Sequence, residues 1–168
     1  SAIRTVGVLA TRSTVASHAY PRAISLRRPD LHVVQQACPL LVPLAEEGWT
    51  EGDVPNRVVD RYLDEGFEGA PDALVLGCTH YPLLRELITA RATRRWGHPP
   101  RVVDSGDATR RALSRALQGA GISAPKHQSG STRILVTDDP DGLERVASRF
   151  FGHEIAGIEH IALVDRSP

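Results

Sequence analysis

Short apolar runs alternate with amphipathic segments along the whole chain. The runs at 5–10 and 73–77 are continuously apolar, which is typical of strands buried on both faces. The full set of predicted strands is 5–10, 31–37, 73–77, 101–104, 132–137 and 161–165. The predicted helices are 11–27 with a kink or early end at Pro21, 39–47, 54–66, a long helix opened by 81–82, 105–117 and 140–151. Strands that alternate with helices predict an α/β fold, in which a parallel sheet carries helices on both faces.

The edge of this sheet is the expected place for a functional site. Ligands bind at the carboxyl ends of the strands in open α/β sheets. That edge would carry Thr11, Cys38, the segment 78–80 and the segment 104–106. The last of these, Asp-Ser-Gly before a predicted helix, is also a weak signal for an anion site.

Composition and charge narrow the class of protein. The 168 residues are 41% hydrophobic and 24% charged, and 20 basic side chains balance 20 acidic ones. A balanced chain lacks the basic field that binds nucleic acid or an anionic membrane, so neither is expected as a partner. No apolar run approaches the roughly 20 residues that cross a bilayer, and the first residues lack a signal-peptide pattern. We therefore expect a soluble cytoplasmic protein.

The segment Leu-Gly-Cys-Thr-His-Tyr-Pro at 76–82 is the strongest candidate for chemistry. A cysteine between a strand and a helix lies in the positive field of the helix N-terminus, which favours the reactive thiolate. The backbone N–H groups of Thr79 and His80 could bind a carboxylate, and His80 could donate a proton or tune Cys78. The alternative is structural, with Cys78 as a small buried side chain and His80 as a capping residue.

Several cysteine chemistries find no support in the spacing. A structural zinc site needs about four Cys or His ligands, but Cys78 and His80 form one possible pair and Cys38 stands alone, so we expect no metal. No Cys-x-x-Cys redox motif is present. Dinucleotide, nucleoside triphosphate and serine-hydrolase motifs are also absent from the sequence, so these three functions have no support. A cysteine hydrolase that uses His80 is disfavoured, because residues two apart at a helix entry seldom face each other.

Cys38 also ends a predicted strand before a helix, so two cysteines could flank one cleft. Two thiols on opposite faces of a carbon suit proton transfer without a cofactor. The alternative is a structural cysteine in a strand–helix turn. Glu46, two helical turns beyond Cys38, could lie along the same edge and polarise a histidine.

The segment 75–83, Val-Leu-Gly-Cys-Thr-His-Tyr-Pro-Leu, resembles the second cysteine motif of bacterial glutamate racemases. Three further stretches resemble the same family in the same order, at 6–20, 37–46 and 103–106. The resemblance covers nearly all of the chain. It implies a cofactor-independent isomerase that interconverts L- and D-glutamate and supplies D-glutamate for peptidoglycan.

The resemblance also implies roles for individual residues. Cys78 matches one of two proton-transferring thiols, His80 the histidine that assists it, and Glu46 an acidic residue that supports this histidine. Thr79 and His80 match the backbone that holds the substrate. Thr11 and Thr14 fall where the family places hydroxyl groups near the substrate.

The sequence lacks the family's first half. The family's other catalytic cysteine lies in a Cys-Asn motif, and the sequence contains no Cys-Asn pair. Cys38 matches a family position that is not the second base, so the Cys38–Cys78 pair suggested by spacing is disfavoured. The resemblance implies that residues 1–100 are a complete second domain and that 101–168 are the C-terminal part of a first, similar domain. It allows a homodimer, and it predicts that this chain alone does not racemise efficiently.

Two alternatives remain. The first is a related cofactor-free racemase or isomerase that acts on another small acid. The second is a non-catalytic fragment that binds glutamate.

Overall fold

The computed structural model describes residues 3–125, 130–137, 140–155 and 157–162, which fall into two compact units, 1–121 and 122–168. The strands are β1 Thr5–Ala10, β2 His32–Ala37, β3 Ala73–Leu76, β4 Arg101–Asp104, β5 Leu135–Val136 and β6 Glu159–His160. The α-helices are α1 Arg12–Ala16, α2 Ala19–Ser25, α3 Leu41–Glu47, α4 Asp53–Gly66, α5 Arg85–Trp96, α6 Ser105–Gly119 and α7 Pro140–Phe151. A 3₁₀ helix, Tyr81–Leu84, precedes α5.

The first unit is built on a four-stranded parallel sheet in the order β2-β1-β3-β4. Because side chains alternate along a strand, β1 faces both sides of the sheet. Leu9 packs with the residues of α3, α4 and α5, whereas Val6, Val8 and Ala10 pack with those of α1 and α2. The predicted parallel sheet with helices on both faces is therefore confirmed.

The predicted helix at 11–27 is divided into α1 and α2 near Pro21. Proline has no N–H, so the carbonyl of Ser17, four residues earlier, cannot receive its helical hydrogen bond. The Arg22 guanidinium donates to that carbonyl instead, at 2.6 Å. His18 takes a left-handed conformation with φ of 50°, and the chain restarts as α2. The interruption thus lies one turn before the proline rather than at it.

The second unit contains β5, α7 and β6, and the two strands are parallel. The sequence predicts the last strand at 161–165, but β6 lies at Glu159–His160. The Glu159 N–H donates to the Ile134 carbonyl at 2.9 Å, and the Ile161 N–H donates to the Val136 carbonyl at 2.7 Å, which pairs this segment with β5. Residues 163–165 lie outside the described residues. The predicted division near residue 100 concerns two domains of intact family members, and it stays a prediction.

Within the described part of the chain, no helix combines the length and the apolar character that crossing a membrane requires.

Candidate functional site

The turn after β3 presents the Cys-Thr-His segment at the carboxyl edge of the first unit's sheet. Gly77 continues the strand ladder, because its N–H donates to the Leu9 carbonyl at 2.8 Å. The Tyr81 N–H then closes a turn onto the Cys78 carbonyl at 3.2 Å, and the 3₁₀ helix begins. Residues 78–80 therefore form a turn that precedes the helix.

Gly77 is required at this point by close packing. A Cβ atom there would lie 2.9 Å from a ring carbon of Tyr20 and 3.0 Å from the Leu9 carbonyl oxygen. Both distances are shorter than a normal carbon contact, and the second atom is backbone that cannot rotate away. Burial raises the pKa of the Tyr20 hydroxyl, and a negative charge on Cys78 raises it further. Tyr20 is thus one wall of the site.

Three of the predicted site residues, Cys78, His80 and Glu46, lie in a row with the imidazole of His80 in the middle. The Cys78 Sγ lies 4.0 Å from the His80 Nδ1, and the His80 Nε2 lies 3.3 Å from a carboxylate oxygen of Glu46 on α3. A Glu46 carboxylate that accepts from Nε2 orients the ring and leaves Nδ1 facing the sulfur. The His80 side chain is 28% exposed and that of Glu46 47%, so both groups are in contact with solvent.

The expectation that Cys78 and His80 would not face each other is wrong. It assumed that both residues lie at a helix entry, where positions two apart point in different directions. They lie instead in the turn before the helix, and the reversal of the chain brings the imidazole towards the sulfur.

The two predicted threonines lie at the start of α1, directly after β1. Thr11 is the N-cap residue, and its Oγ1 accepts a hydrogen bond from the Thr14 N–H at 3.4 Å. The two hydroxyl oxygens are 3.0 Å apart, and the Ser13 hydroxyl is 3.1 Å from Thr11. Because β1 neighbours β3, the hydroxyl groups of Thr11, Ser13 and Thr14 lie on the same sheet edge as Cys78. Thr79 is exposed within the Cys78–His80 turn.

Cys38 differs from Cys78 in its surroundings. Its side chain is completely buried, and its Sγ donates to the Gln36 carbonyl at 3.5 Å. Burial raises the pKa of the Cys38 thiol to about 12. A buried thiol with a raised pKa favours its protonated form at neutral pH, and this one faces the Gln36 carbonyl, so neither observation supports the pairing of Cys38 with Cys78 that spacing suggested.

The segment 104–106 is not an open anion site. Asp104 is 8% exposed, and its carboxylate caps α6 by accepting from the Asp107 N–H at 2.9 Å. The same carboxylate is paired with the Arg85 guanidinium on α5. These hydrogen bonds, that from Asp107 first and that from Arg85 next, hold the pKa of Asp104 below its usual range. The helix terminus is already occupied by a negative charge of the chain itself.

Two tyrosines near the site were not predicted from the sequence to contribute to it. The Tyr81 hydroxyl donates to the Cys38 carbonyl at 2.8 Å, and the Tyr62 hydroxyl accepts from the Leu40 N–H at 3.1 Å. Both contacts join residues that are distant in sequence, so no local pattern in the sequence indicates them. In the described residues, no group of three or more His, Cys, Asp or Glu side chains is arranged to hold a metal ion.

Two of three comparisons with known proteins find proteins similar to this chain. No protein-family model matches the chain. A glutamate racemase of Geobacter metallireducens is 40% identical over 94% of this chain, and one of Koribacter versatilis is 37% identical over 97% of it. These matches span 57% and 62% of the two relatives.

Solved structures give the same result. A glutamate racemase from Francisella tularensis in complex with D-glutamate has a TM-score of 0.82 and 29% identity over 95% of this chain and 58% of that one. The racemase from Thermus thermophilus in complex with β-chloro-D-alanine has a TM-score of 0.78 and 36% identity over 96% of this chain and 57% of that one. The chain thus spans a little over half of the relatives that it matches. Over nearly its whole length, it is homologous to the C-terminal portion of glutamate racemases.

Proposed function

We propose that this chain supplies one catalytic thiol of a glutamate racemase, which interconverts L- and D-glutamate by proton transfer at Cα without a cofactor. The observation that carries the proposal is the alignment of Cys78, His80 and Glu46 at the sheet edge, with separations of 4.0 and 3.3 Å. The homology supports glutamate as the substrate, since one related structure is that of a glutamate racemase with D-glutamate.

In this mechanism Cys78 works on one face of the substrate. In one direction its thiolate takes the Cα proton, and the C–H electron pair stays on the substrate as a carbanion. In the other direction its thiol returns a proton to Cα. His80 accepts or supplies the proton that resets the sulfur, and Glu46 stabilises the imidazolium that forms in that exchange.

Substrate binding is assigned to backbone and hydroxyl groups around the thiol. The N–H groups of Thr79 and His80 would hold a substrate carboxylate, and the hydroxyl groups of Thr11 and Thr14 would contact the substrate from α1. The four residues lie on the edge formed by the neighbouring strands β1 and β3, which supports this assignment.

The opposite face of the substrate requires a second thiol from outside this chain. Cys38 is buried with a pKa of about 12, and the sequence has no Cys-Asn pair. In the proposed enzyme, residues 1–100 form one domain and residues 101–168 complete a second, similar domain. The complete enzyme would work in the cytoplasm, alone or as a homodimer, and would supply D-glutamate for peptidoglycan.

A second candidate function is binding of glutamate without turnover. The burial of Cys38 favours it, because inversion needs groups on both faces of Cα and this thiol faces the Gln36 carbonyl instead. Calorimetry of the chain with D- and L-glutamate would reveal binding, and the absence of Cα exchange would distinguish it from catalysis.

A chimera tests the proposal. The part of the Geobacter racemase that this chain does not match is joined to residues 1–168, and the conversion of L- into D-glutamate is followed by circular dichroism. We expect racemisation that Cys78→Ala abolishes and that Cys38→Ala, as the matched control, leaves in place. A folded chimera that is inactive on glutamate, or one that survives Cys78→Ala, would refute the proposal. Activity on aspartate alone would favour a related racemase.

A further inference from the structure

The Cys78–His80–Glu46 site is assembled from two separate segments. Cys78 and His80 lie in the turn after β3, whereas Glu46 lies on α3, which follows the turn at 38–40. The separation of His80 from Glu46 therefore depends on how these two turns are held together. We propose that Tyr81 is a positioning residue, whose hydroxyl ties the turn of Cys78 and His80 to the turn that leads into α3.

The contact that carries this inference is buried and joins distant parts of the chain. Tyr81 is completely buried, and its hydroxyl donates to the Cys38 carbonyl oxygen at 2.8 Å, across 43 positions of sequence. A buried hydroxyl that loses its acceptor is costly, so this pairing strongly favours one arrangement of the two turns. Tyr81 directly follows His80, which places the hydrogen bond at the end of the turn formed by residues 78–80.

The turn at 38–40, which accepts the Tyr81 hydrogen bond, is itself fixed to the centre of the sheet. The Cys38 N–H donates to the Ala10 carbonyl at 2.8 Å, and the Leu41 N–H donates to the Cys38 carbonyl at 3.2 Å as α3 begins. The Tyr62 hydroxyl accepts from the Leu40 N–H at 3.1 Å. Cys38 thus contributes through its backbone, and its thiol, which faces the Gln36 carbonyl, is not used.

The geometry makes the site sensitive to small movements. The Cys78 Sγ and the His80 Nδ1 are 4.0 Å apart, which is already the outer limit of a sulfur hydrogen bond. A shift of a few tenths of an ångström in the turn would weaken proton exchange between them, because such transfers need groups held in reach. The inference rests on the proposed function of His80.

The test is the alkylation of Cys78 by iodoacetamide across pH 5 to 9 in the whole chain, with modified sites counted by mass spectrometry. Cys38 is buried and stays unmodified while the chain is folded. We expect Tyr81→Phe to slow alkylation of Cys78 at pH 7 by about fivefold and to change the dependence of the rate on pH. Tyr62→Phe is the matched control, because the Tyr62 hydroxyl on α4 contacts the same turn at 38–40 but does not belong to the segment that carries Cys78 and His80. We expect it to destabilise the chain similarly and to change the rate less than twofold.

Two further variants separate the possible failures. His80→Asn should change the profile at least as much as Tyr81→Phe, and an unchanged profile would refute the proposed function itself. If His80→Asn changes the profile but Tyr81→Phe does not, or if Tyr62→Phe changes it equally, only the role of Tyr81 is refuted. Cys38→Ala retains the carbonyl and should leave the profile unchanged, whereas a change would show that the thiol is used.

A measurement on the unaltered chain keeps the inference testable if Tyr81→Phe does not fold. A buried hydroxyl held at 2.8 Å should exchange its proton with water slowly enough to give a separate NMR signal. A Tyr81 hydroxyl proton that exchanges as fast as an exposed one would refute the proposed contact.

Discussion

Replacing Asp104 with asparagine separates the two contacts that its carboxylate makes. The Asp104 side chain caps α6 through the Asp107 N–H and pairs with the Arg85 guanidinium. Asparagine caps a helix about as well as aspartate, so Asp104→Asn keeps the first contact and removes the charge from the second. Asp104→Ala removes both.

The size of each effect follows from burial. A hydrogen bond to a charged group contributes about 1.5–3 kcal/mol, and the 39% exposure of the Arg85 side chain places this one at the lower end. We therefore expect Asp104→Asn to lower the free energy of unfolding by about 1.5 kcal/mol. Asp104→Ala should lower it by about 2.5 kcal/mol, since the lost cap adds about 1 kcal/mol.

The pH dependence has a defined sign. The pKa of Asp104 is held below its ordinary value of 3.8, so the folded state favours the charged form. The resulting stability is complete above pH 3.8 and is lost as the pH falls through the lower, folded-state pKa. The difference between the wild type and Asp104→Asn should therefore be full at pH 6 and should shrink below about pH 4.

The assay is urea unfolding followed by tryptophan fluorescence. Both tryptophans, Trp49 and Trp96, belong to the first unit, which also contains Asp104. The midpoint of Asp104→Asn should fall by about 0.5–1 M urea at pH 6. Equal midpoints at pH 6, or a difference that persists undiminished at pH 3, would refute the argument.

Three further predictions concern packing, alkaline pH and an ion pair. Gly77→Ala should lower the free energy of unfolding by about 1–3 kcal/mol in the same urea assay, because its Cβ would press on Tyr20 and on backbone; an unchanged midpoint would contradict that packing. The pKa of Cys38 is raised from 9.0 to about 12, so the folded state keeps the proton and stability should fall as the pH rises above 9, by up to about 1.4 kcal/mol per pH unit. Cys38→Ala should lack this part of the slope, and equal slopes would argue against a buried neutral thiol. Arg91→Met breaks the bond between α5 and Asp60 on α4, and it should lower the thermal unfolding midpoint more than Arg57→Met, which breaks an exposed pair within α4.

The sheet and most helices follow from local patterns in the sequence. The apolar runs at 5–10 and 73–77 predict strands that are buried on both faces, and β1 and β3 lie within them. Gly48 ends α3 with a left-handed φ of 72°. The position of β6 was missed because pairing with a partner strand, rather than local apolarity, determines where a two-residue strand forms.

The candidate site is only partly accessible to sequence reasoning. The resemblance to a family pointed to Cys78, His80 and Glu46, and the structure brings these three side chains together. The contact between Tyr81 and the Cys38 carbonyl involves a backbone atom 43 positions away, and no local pattern encodes it. Such contacts arise only when the strands have been placed side by side.

The central claim is that Cys78 is the one thiol of this chain that exchanges the Cα proton of glutamate. It is tested most directly by NMR of L- and D-glutamate, incubated separately with the 168-residue chain in D₂O. We predict deuterium at Cα of one enantiomer only, with retention of configuration, and no exchange after Cys78→Ala. Inversion of either enantiomer by the chain alone, exchange that survives Cys78→Ala, or no exchange at all would contradict the account.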